Sequence, residues 1–184
     1  VLVLSDHGDQ MLEHGLFGKN VFFEDSVRVP MLIHAPGRMA AGVREELTEA
    51  IDVMPTVLDL CGVPVPPFVQ GRSLLRGGEA REMVFSENIM PEVITNGGTG
   101  YPWVRGKGID GIRHPDAKMV RTGRWKLNYY PGNGGELYDL ENDPGEWRNL
   151  YKSEPGRVAE LKDALLDWLA TADENDQIAE HWEI

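Results

Sequence analysis

The sequence lacks several features that would otherwise define its class. Of its 184 residues only Cys61 is a cysteine, which excludes an internal disulfide framework. No apolar stretch approaches the roughly 20 residues that span a bilayer. Positive charge is scarce, and the formal net charge is -12. Such a chain repels phosphate backbones and anionic membrane surfaces, so we expect neither a nucleic-acid nor a membrane partner.

The chain also has no initiating methionine, no basic leader and no cleavage site, and its first four residues are apolar. We expect any targeting segment to lie upstream, and the compartment stays open. The hydrophobic fraction of 41% and the charged fraction of 26% are close to those of soluble globular proteins. The chain should therefore build a real core, at least beside its neighbours. Cys61, in an apolar helical pattern, is expected in that core.

Two apolar runs end abruptly in polar loops. Residues 1–4 precede Asp6 and His7, and residues 29–34 stop at a Pro-Gly turn. Continuous apolar runs are typical of buried strands, and helical material between and after them favours a mostly parallel α/β sheet. Ligand sites of such sheets lie beyond the carboxyl ends of the strands. Asp6 and His7 lie at such an end.

A helix is predicted to follow these strands. Asp52 is a suitable cap, Pro55 suits the first turn, and Gly62 suits the end. A new β-like run begins at Met83. We place a domain boundary near residue 80, which divides the chain into residues 1–80 and 81–184.

The second part predicts an antiparallel sheet covered by a helix. Residues 118–130 form a hairpin pattern around a Thr-Gly-Arg turn, and residues 136–140 form a further strand pattern. A final helix beginning at Ser153 carries an apolar stripe, which we expect to pack on the sheet. Four aromatic residues are expected to form the core of this unit: Trp125, Tyr129, Tyr130 and Trp168.

Three residues near the first strand suggest anion chemistry. Asp6 and His7 offer a carboxylate oxygen and an imidazole nitrogen to one divalent cation. The alternative is an aspartate that caps a turn beside a histidine that bonds backbone. Lys19 lies in a glycine-flanked turn, where its ammonium would reach an anion held by the metal. The alternative for a lone lysine is a solvated surface group.

A longer pattern surrounds these residues. It comprises Ser5-Asp6-His7-Gly8-Asp9, Glu13-His14-Gly15-Leu16-Phe17-Gly18-Lys19-Asn20 and Glu24-Asp25-Ser26-Val27-Arg28-Val29-Pro30, and it continues through residues 52–58, 71–74, 121–126 and 136–144. This pattern closely resembles the metal-and-lysine segment of the sulfatase family. The resemblance implies the C-terminal part of an alkaline-phosphatase-like, mostly parallel α/β core. A small domain of antiparallel sheet plus helix would follow that core.

The resemblance also implies roles for Asp6, His7 and Lys19. Asp6 and His7 would ligate a divalent cation, usually calcium in the family, although manganese and zinc also suit mixed oxygen and nitrogen ligands. Lys19 would bind a sulfate oxygen and take part in catalysis. His14 would either contact the substrate or anchor the Gly15 turn. Glu24 is expected to orient Lys19 or to cap a turn.

The family's nucleophile is a formylglycine made from Cys or Ser in a C/S-x-P-x-R motif. Cys61 is followed by Gly-Val-Pro-Val, which lacks the spacing of that motif. We therefore expect the nucleophile upstream, in a parent enzyme that is a metal-dependent sulfuric ester hydrolase. The chain alone should bind metal weakly and hydrolyse essentially nothing.

Two other functions stay open. The same metal pair and lysine would serve a phosphonate or phosphate ester hydrolase of the same superfamily. A non-catalytic domain that binds anionic glycans is the other alternative. The expected ligand is a sulfate ester, either a small molecule or a sulfated glycan, and the sequence does not indicate an oligomeric state.

One further segment is a candidate for substrate contact. Residues 96–111 are rich in glycine but also contain Tyr101, Trp103, Arg105 and Lys107. Such side chains would stack on a sugar or an aromatic leaving group and attract its anion. The alternative is a surface insertion without a functional role.

Overall fold

The computed structural model describes residues 1–75, 80–89 and 116–179. The predicted substrate-contact segment 96–111 lies outside these residues. In chain order the elements are β1 (Leu2–Leu4), β2 (Gln10–Met11), a 3-10 helix (Glu13–Gly15), β3 (Phe17–Gly18), α1 (Glu24–Val27), β4 (Met31–Ile33), a second 3-10 helix (Ala50–Asp52), α2 (Val53–Leu60), β5 (Val84–Ile89), β6 (Asp116–Arg121), β7 (Trp125–Tyr130), β8 (Gly134–Asp139) and α3 (Pro155–Ala179). Among the described residues no helix combines the length and apolar character needed to cross a bilayer.

The first two predicted strands exist, but their environment differs from the expectation. β1 and β4 pair antiparallel, with Val3 opposite Leu32. The intervening chain forms a short hairpin and the single turn of α1 instead of a crossover helix, so it returns β4 in the opposite direction. Val3 is 55% and Leu32 62% exposed, because the described residues cover these strands incompletely.

The start of α2 is also arranged differently from the prediction. The Asp52 carboxylate does not cap α2; it completes a capping box with Glu49 in the preceding 3-10 helix and receives two hydrogen bonds from Arg81. Burial opposes ionisation of Asp52, but the Arg81 bonds and two backbone N–H groups outweigh it and lower its pKa. Cys61 is exposed instead of buried, because it lies at the C-terminal end of α2, where the chain turns at Gly62.

The predicted antiparallel sheet is confirmed. Its strand order is β5-β6-β7-β8, with every neighbouring pair antiparallel. The β6–β7 turn closes through the Thr122 N–H, which donates to the Trp125 carbonyl at 2.8 Å. β8 matches the further strand that the sequence predicts.

One face of this sheet holds the larger core. Leu127 and Leu161 are fully buried there, so α3 packs on the sheet as predicted. Trp125, Tyr129 and Trp168 pack around this cluster. Tyr130 does not, because successive side chains of a strand point to opposite faces.

The opposite face of the sheet carries the chain that leads into α1. Tyr130 packs there with Phe22 and Met119, and Tyr138 packs with Leu16 and Phe23. Residues 22–27 thus contact the sheet on one side and the loop after β1 on the other. This packing places the candidate site described below.

An ion pair at the end of β8 should make the free energy of unfolding depend on pH in the acidic range. Arg124 donates two hydrogen bonds to the Asp139 carboxylate, at 3.0 and 2.7 Å. These bonds hold the pKa of Asp139 well below its ordinary value, so the stabilisation is present above the pKa of the unfolded chain. It is lost as the pH falls through the lower folded pKa.

We expect Asp139→Asn to lower the midpoint of thermal unfolding at pH 7. That deficit relative to wild type should shrink as the pH falls below the ordinary pKa of an aspartate, because the wild-type carboxylate takes up a proton first in the unfolded chain and only at still lower pH in the folded one. Glu141→Gln is the matched control, because Glu141 is 67% exposed and lies 3.4 Å from the same guanidinium. A deficit that stays constant down to pH 2 would contradict the linkage.

Candidate functional site

The side chains of Asp6, His7 and Lys19 meet at one place. Asp6 and His7 follow the end of β1, and Lys19 follows β3. The Lys19 Nζ lies 2.5 Å from the His7 Nε2, which lies 3.4 Å from the Asp6 Oδ2. The structure therefore brings together the three residues that the sequence singles out.

The orientation of the His7 ring is set by its own backbone neighbour. Its Nδ1 lies 2.7 Å from the Gly8 carbonyl oxygen, which only accepts hydrogen bonds, so Nδ1 carries the proton. The Nε2 lone pair is then left facing Asp6 and Lys19. A histidine that ligates a metal commonly uses one ring nitrogen in this way while the other donates to a carbonyl.

This donor pair is open to solvent. The Asp6 side chain is 83% exposed and that of His7 is 36% exposed. Within the described ranges no group of three or more His, Cys, Asp and Glu residues is placed to hold a metal ion. Asp6 and His7 thus offer one oxygen and one nitrogen donor, and a complete coordination shell would require further ligands.

The loop after β1 is held in place by α1. The Gly8 N–H donates to the Ser26 carbonyl at 2.8 Å, and Gln10, which is fully buried, donates to the Ser26 hydroxyl at 3.1 Å. A Cβ on Gly8 would lie 1.9 Å from the Asp25 carbonyl oxygen. Only glycine allows the loop and α1 to approach this closely.

Glycine is also required just before the lysine. Gly18 has φ +98°, a conformation that residues with a Cβ rarely adopt. Gly18 pairs with Gln10 across the β2–β3 hairpin. This hairpin returns the chain to the β1 end and so places Lys19 against His7.

His14 lies in an aromatic stack. Its ring is 3.8 Å from that of Phe23, nearly parallel, and 4.4 Å from that of Trp147. It also lines a cavity of about 220 Å³ together with Asn20 and Glu136. The stack supports the anchoring alternative, and a substrate contact by His14 stays a prediction.

Two contacts of this region were missed from the sequence. Trp147 comes from the turn after β8, and no local pattern links it to residue 14. The Glu24 carboxylate was predicted to orient Lys19 or to cap a turn, but it lies 2.8 Å from the Nζ of Lys126 on the sheet. Such contacts join residues more than a hundred positions apart, and only the folded chain reveals them.

Comparison with known proteins finds one matching family model and several curated relatives of this chain. Residues 12–90 match the model of the C-terminal region of N-sulphoglucosamine sulphohydrolase. A Δ4,5-hexuronate-2-O-sulfatase of Bacteroides thetaiotaomicron is 33% identical over 96% of this chain and 35% of its own length. A choline-sulfatase of Rhizobium meliloti is 32% identical over 100% of this chain and 31% of its own length. The chain therefore spans about a third of the length of these curated relatives.

Solved structures resemble the chain over nearly its whole length. A putative sulfatase from Bacteroides thetaiotaomicron superposes with a TM-score of 0.74 and 28% identity over 96% of this chain and 37% of that one. A phosphonate monoester hydrolase from Silicibacter pomeroyi gives 0.75 and 27% over 93% and 34%. A protein bound to its substrate D-glucosamine-2-N,6-O-disulfate gives 0.69 and 26% over 95% and 35%. The predicted fold class is confirmed by these neighbours.

Proposed function

Because this chain belongs to the sulfatase family, we propose that it forms part of a metal-dependent sulfuric ester hydrolase. The observation that carries the proposal is the meeting of Asp6, His7 and Lys19 at one end of the β1 loop. The nucleophile, a formylglycine in this family, would come from a part of the enzyme outside these 184 residues. The chain contributes one side of the active site.

The donor set suits a divalent cation. The Asp6 carboxylate and the His7 Nε2 would hold it, together with ligands from elsewhere in the enzyme. The metal would polarise a sulfate oxygen as a Lewis acid. Calcium is the ion that the family implies, and the nitrogen donor also suits manganese or zinc.

Lys19 acts on the same anion. A sulfate ester resists nucleophilic attack because its oxygens are anionic, and an ammonium beside them lowers the electrostatic cost of approach. It also stabilises the charge that develops in the transition state. The Lys19 Nζ lies against the Nε2 of His7; a cation bound to that nitrogen would take the place of the ammonium, which would then contact an oxygen held by the cation.

A sulfated sugar is the substrate class that we propose. The hexuronate sulfatase and the complex with a glucosamine disulfate support it, since both matched proteins act on or bind sulfated sugars by name. The choline-sulfatase relative supports a small sulfate ester as the alternative. A panel of 2-O-sulfated hexuronate, 6-O-sulfated glucosamine and choline sulfate would separate these classes by their kcat/KM values.

The second candidate reaction is hydrolysis of a phosphonate or phosphate ester. The resemblance to the phosphonate monoester hydrolase favours it, and the same cation and lysine suit a phosphoryl group. Assays of the complete enzyme with matched aryl sulfate and aryl phosphonate esters decide between the two. We expect the sulfate ester to have at least about tenfold higher kcat/KM, a difference in activation free energy of about 1.4 kcal/mol.

Asp6→Ala tests the metal role in the same enzyme. We expect the metal bound per protein molecule, measured by plasma mass spectrometry, to fall together with activity, and kcat/KM to drop by more than about tenfold. Asp163→Ala, an exposed aspartate on α3, is the matched control and should change neither. Full metal content in Asp6→Ala would show that Asp6 is not a metal ligand. In the ester assay, faster turnover of the phosphonate than of the sulfate by the wild type would favour phosphonate hydrolysis.

A further inference from the structure

Four charged side chains form a buried ion cluster between α1 and the antiparallel sheet. They are Glu24, Arg121, Lys126 and Glu146. The Lys126 Nζ lies 2.7 Å from the Glu146 Oε1 and 2.8 Å from the Glu24 Oε1, and the Arg121 Nε lies 3.3 Å from the same Glu24 oxygen. The Lys126 side chain has no exposed surface, and that of Glu146 is 2% exposed.

The sheet alone would not tolerate the two cations. Arg121 of β6 and Lys126 of β7 lie directly opposite each other in the strand register, and like charges in that position repel. A buried lysine without an anionic partner is also strongly unfavourable. Both anions come from outside the strands, one from α1 and one from the turn after β8. The cluster is neutral only when these segments are in place.

Glu146 ties the two segments together. One of its carboxylate oxygens accepts from Lys126, and the other accepts from the backbone N–H of Glu24, the first residue of α1, at 2.7 Å. Its backbone has φ +55°, which is unfavourable for a residue with a Cβ. Such a conformation persists only where the surrounding contacts hold it. In this conformation the Glu146 carboxylate contacts the sheet through Lys126 and α1 through the Glu24 N–H.

The cluster is linked to the candidate site through short contacts. Ser26, two residues after Glu24, accepts from the Gly8 N–H and from Gln10, and these bracket the loop that follows Asp6 and His7. The neighbour of Glu146, Trp147, stacks on His14 of the segment that leads to Lys19. The turn after β8 therefore contacts α1, which holds the Asp6–His7 loop, and His14, which lies in the segment before Lys19.

We propose that Lys126, Glu24 and Glu146 are positioning residues for sulfate ester hydrolysis. They lock α1 against the sheet, and α1 in turn sets the relative position of the Asp6–His7 loop and Lys19. The inference rests on the proposed function, and it assigns to the antiparallel sheet a direct part in the geometry of the active site. The sheet's own core with α3 lies on the opposite face, so this core stays intact when the charges of the cluster are neutralised.

The test is the double variant Lys126→Met, Glu146→Gln in the complete enzyme. It removes one charge of each sign, keeps side-chain volume, and keeps an oxygen for the Glu24 N–H, and such neutral replacements of buried ion pairs are often well tolerated. We expect kcat to fall about tenfold to a hundredfold, because small displacements of reacting groups are costly. KM should change less than about twofold.

Hydrogen exchange gives a second readout that does not depend on activity. We expect the amides of residues 8–27 to exchange faster in the variant, and those of residues 155–172 in α3 to keep their wild-type rates. The matched control neutralises a pair at the surface of α3, Arg157→Met, Glu160→Gln, whose side chains are 37% and 55% exposed, and it should leave kcat and the exchange of residues 8–27 unchanged. Wild-type kcat together with wild-type exchange in residues 8–27 would overturn the proposal.

A variant that fails to fold is covered by a milder change. Glu24→Gln keeps the Lys126–Glu146 pair and should produce the same two effects at smaller size, and a folded Glu24→Gln enzyme without either effect would also overturn the proposal. If the wild-type enzyme hydrolyses no sulfate ester, the proposed function fails by itself. The exchange comparison would then still decide whether the cluster holds the loop.

Discussion

Replacing Lys19 with alanine in the complete enzyme is expected to lower kcat/KM for a sulfate ester by about 10² to 10³-fold, the usual effect of removing one charged or hydrogen-bonding group from a developing anion. The amine lies 2.5 Å from the proposed metal-binding nitrogen of His7. A cation bound to that nitrogen would take the place of the ammonium, which would then pair with an oxygen that the cation holds. Steady-state kinetics on one aryl sulfate measure the loss.

Metal content separates this role from that of Asp6. Lys19→Ala should keep the wild-type amount of bound metal, because an ammonium is not a ligand. Lys152→Ala removes an exposed lysine in the turn before α3 and should keep wild-type kinetics. Activity of Lys19→Ala within threefold of wild type would exclude Lys19 from the transition state and leave it as a surface group.

Substituting alanine for Gly8 is expected to lower the free energy of unfolding by about 3 kcal/mol, at the upper end of the cost of overpacking. The added Cβ would lie 1.9 Å from the Asp25 carbonyl oxygen and 2.9 Å from its carbon. Neither can move aside easily, because the Gly8 N–H is bonded to the next carbonyl of the same turn. Relief requires that the loop and α1 separate.

The matched control is Gly156→Ala, where nothing lies within 4 Å of an added Cβ. That change should be neutral or stabilise α3 by about 0.5 kcal/mol, because alanine favours helix over glycine. Urea unfolding of both variants measures the difference. Separation of the loop from α1 should also reduce metal content in Gly8→Ala alone, and equal stability and metal content of the two variants would show that the loop adapts without cost.

Residues close in sequence accounted for most of what could be predicted of the site. Asp6, His7 and Lys19 fall within one short segment, and the glycine before the lysine marks the turn that brings them together. The β6–β7 hairpin was predictable for the same reason, since its turn and strand patterns are adjacent. Their roles in binding a cation and an anion stay predictions that the variants above test.

The predictions that were wrong concern contacts between residues far apart in the sequence. The apolar runs at β1 and β4 predicted strands correctly, but the direction of their pairing depends on how the intervening chain returns. Tyr130 was predicted to share one core with Tyr129, but it packs on the other face of the sheet, because an aromatic residue at either of two adjacent strand positions looks equally apolar. Asp52 was expected to cap α2, but Arg81, 29 positions later, occupies its carboxylate.

By itself the sequence determined the family, the order of β1, β4 to β8, α2 and α3, and the three residues that meet after β1, because these depend on local spacing and on a contiguous motif. Only the tertiary structure decided which face of the sheet receives each side chain and which acids neutralise Arg121 and Lys126. The physical reason is that charge pairing and packing act through space. Glu24 and Glu146, 122 positions apart, become neighbours only when the chain between them has folded.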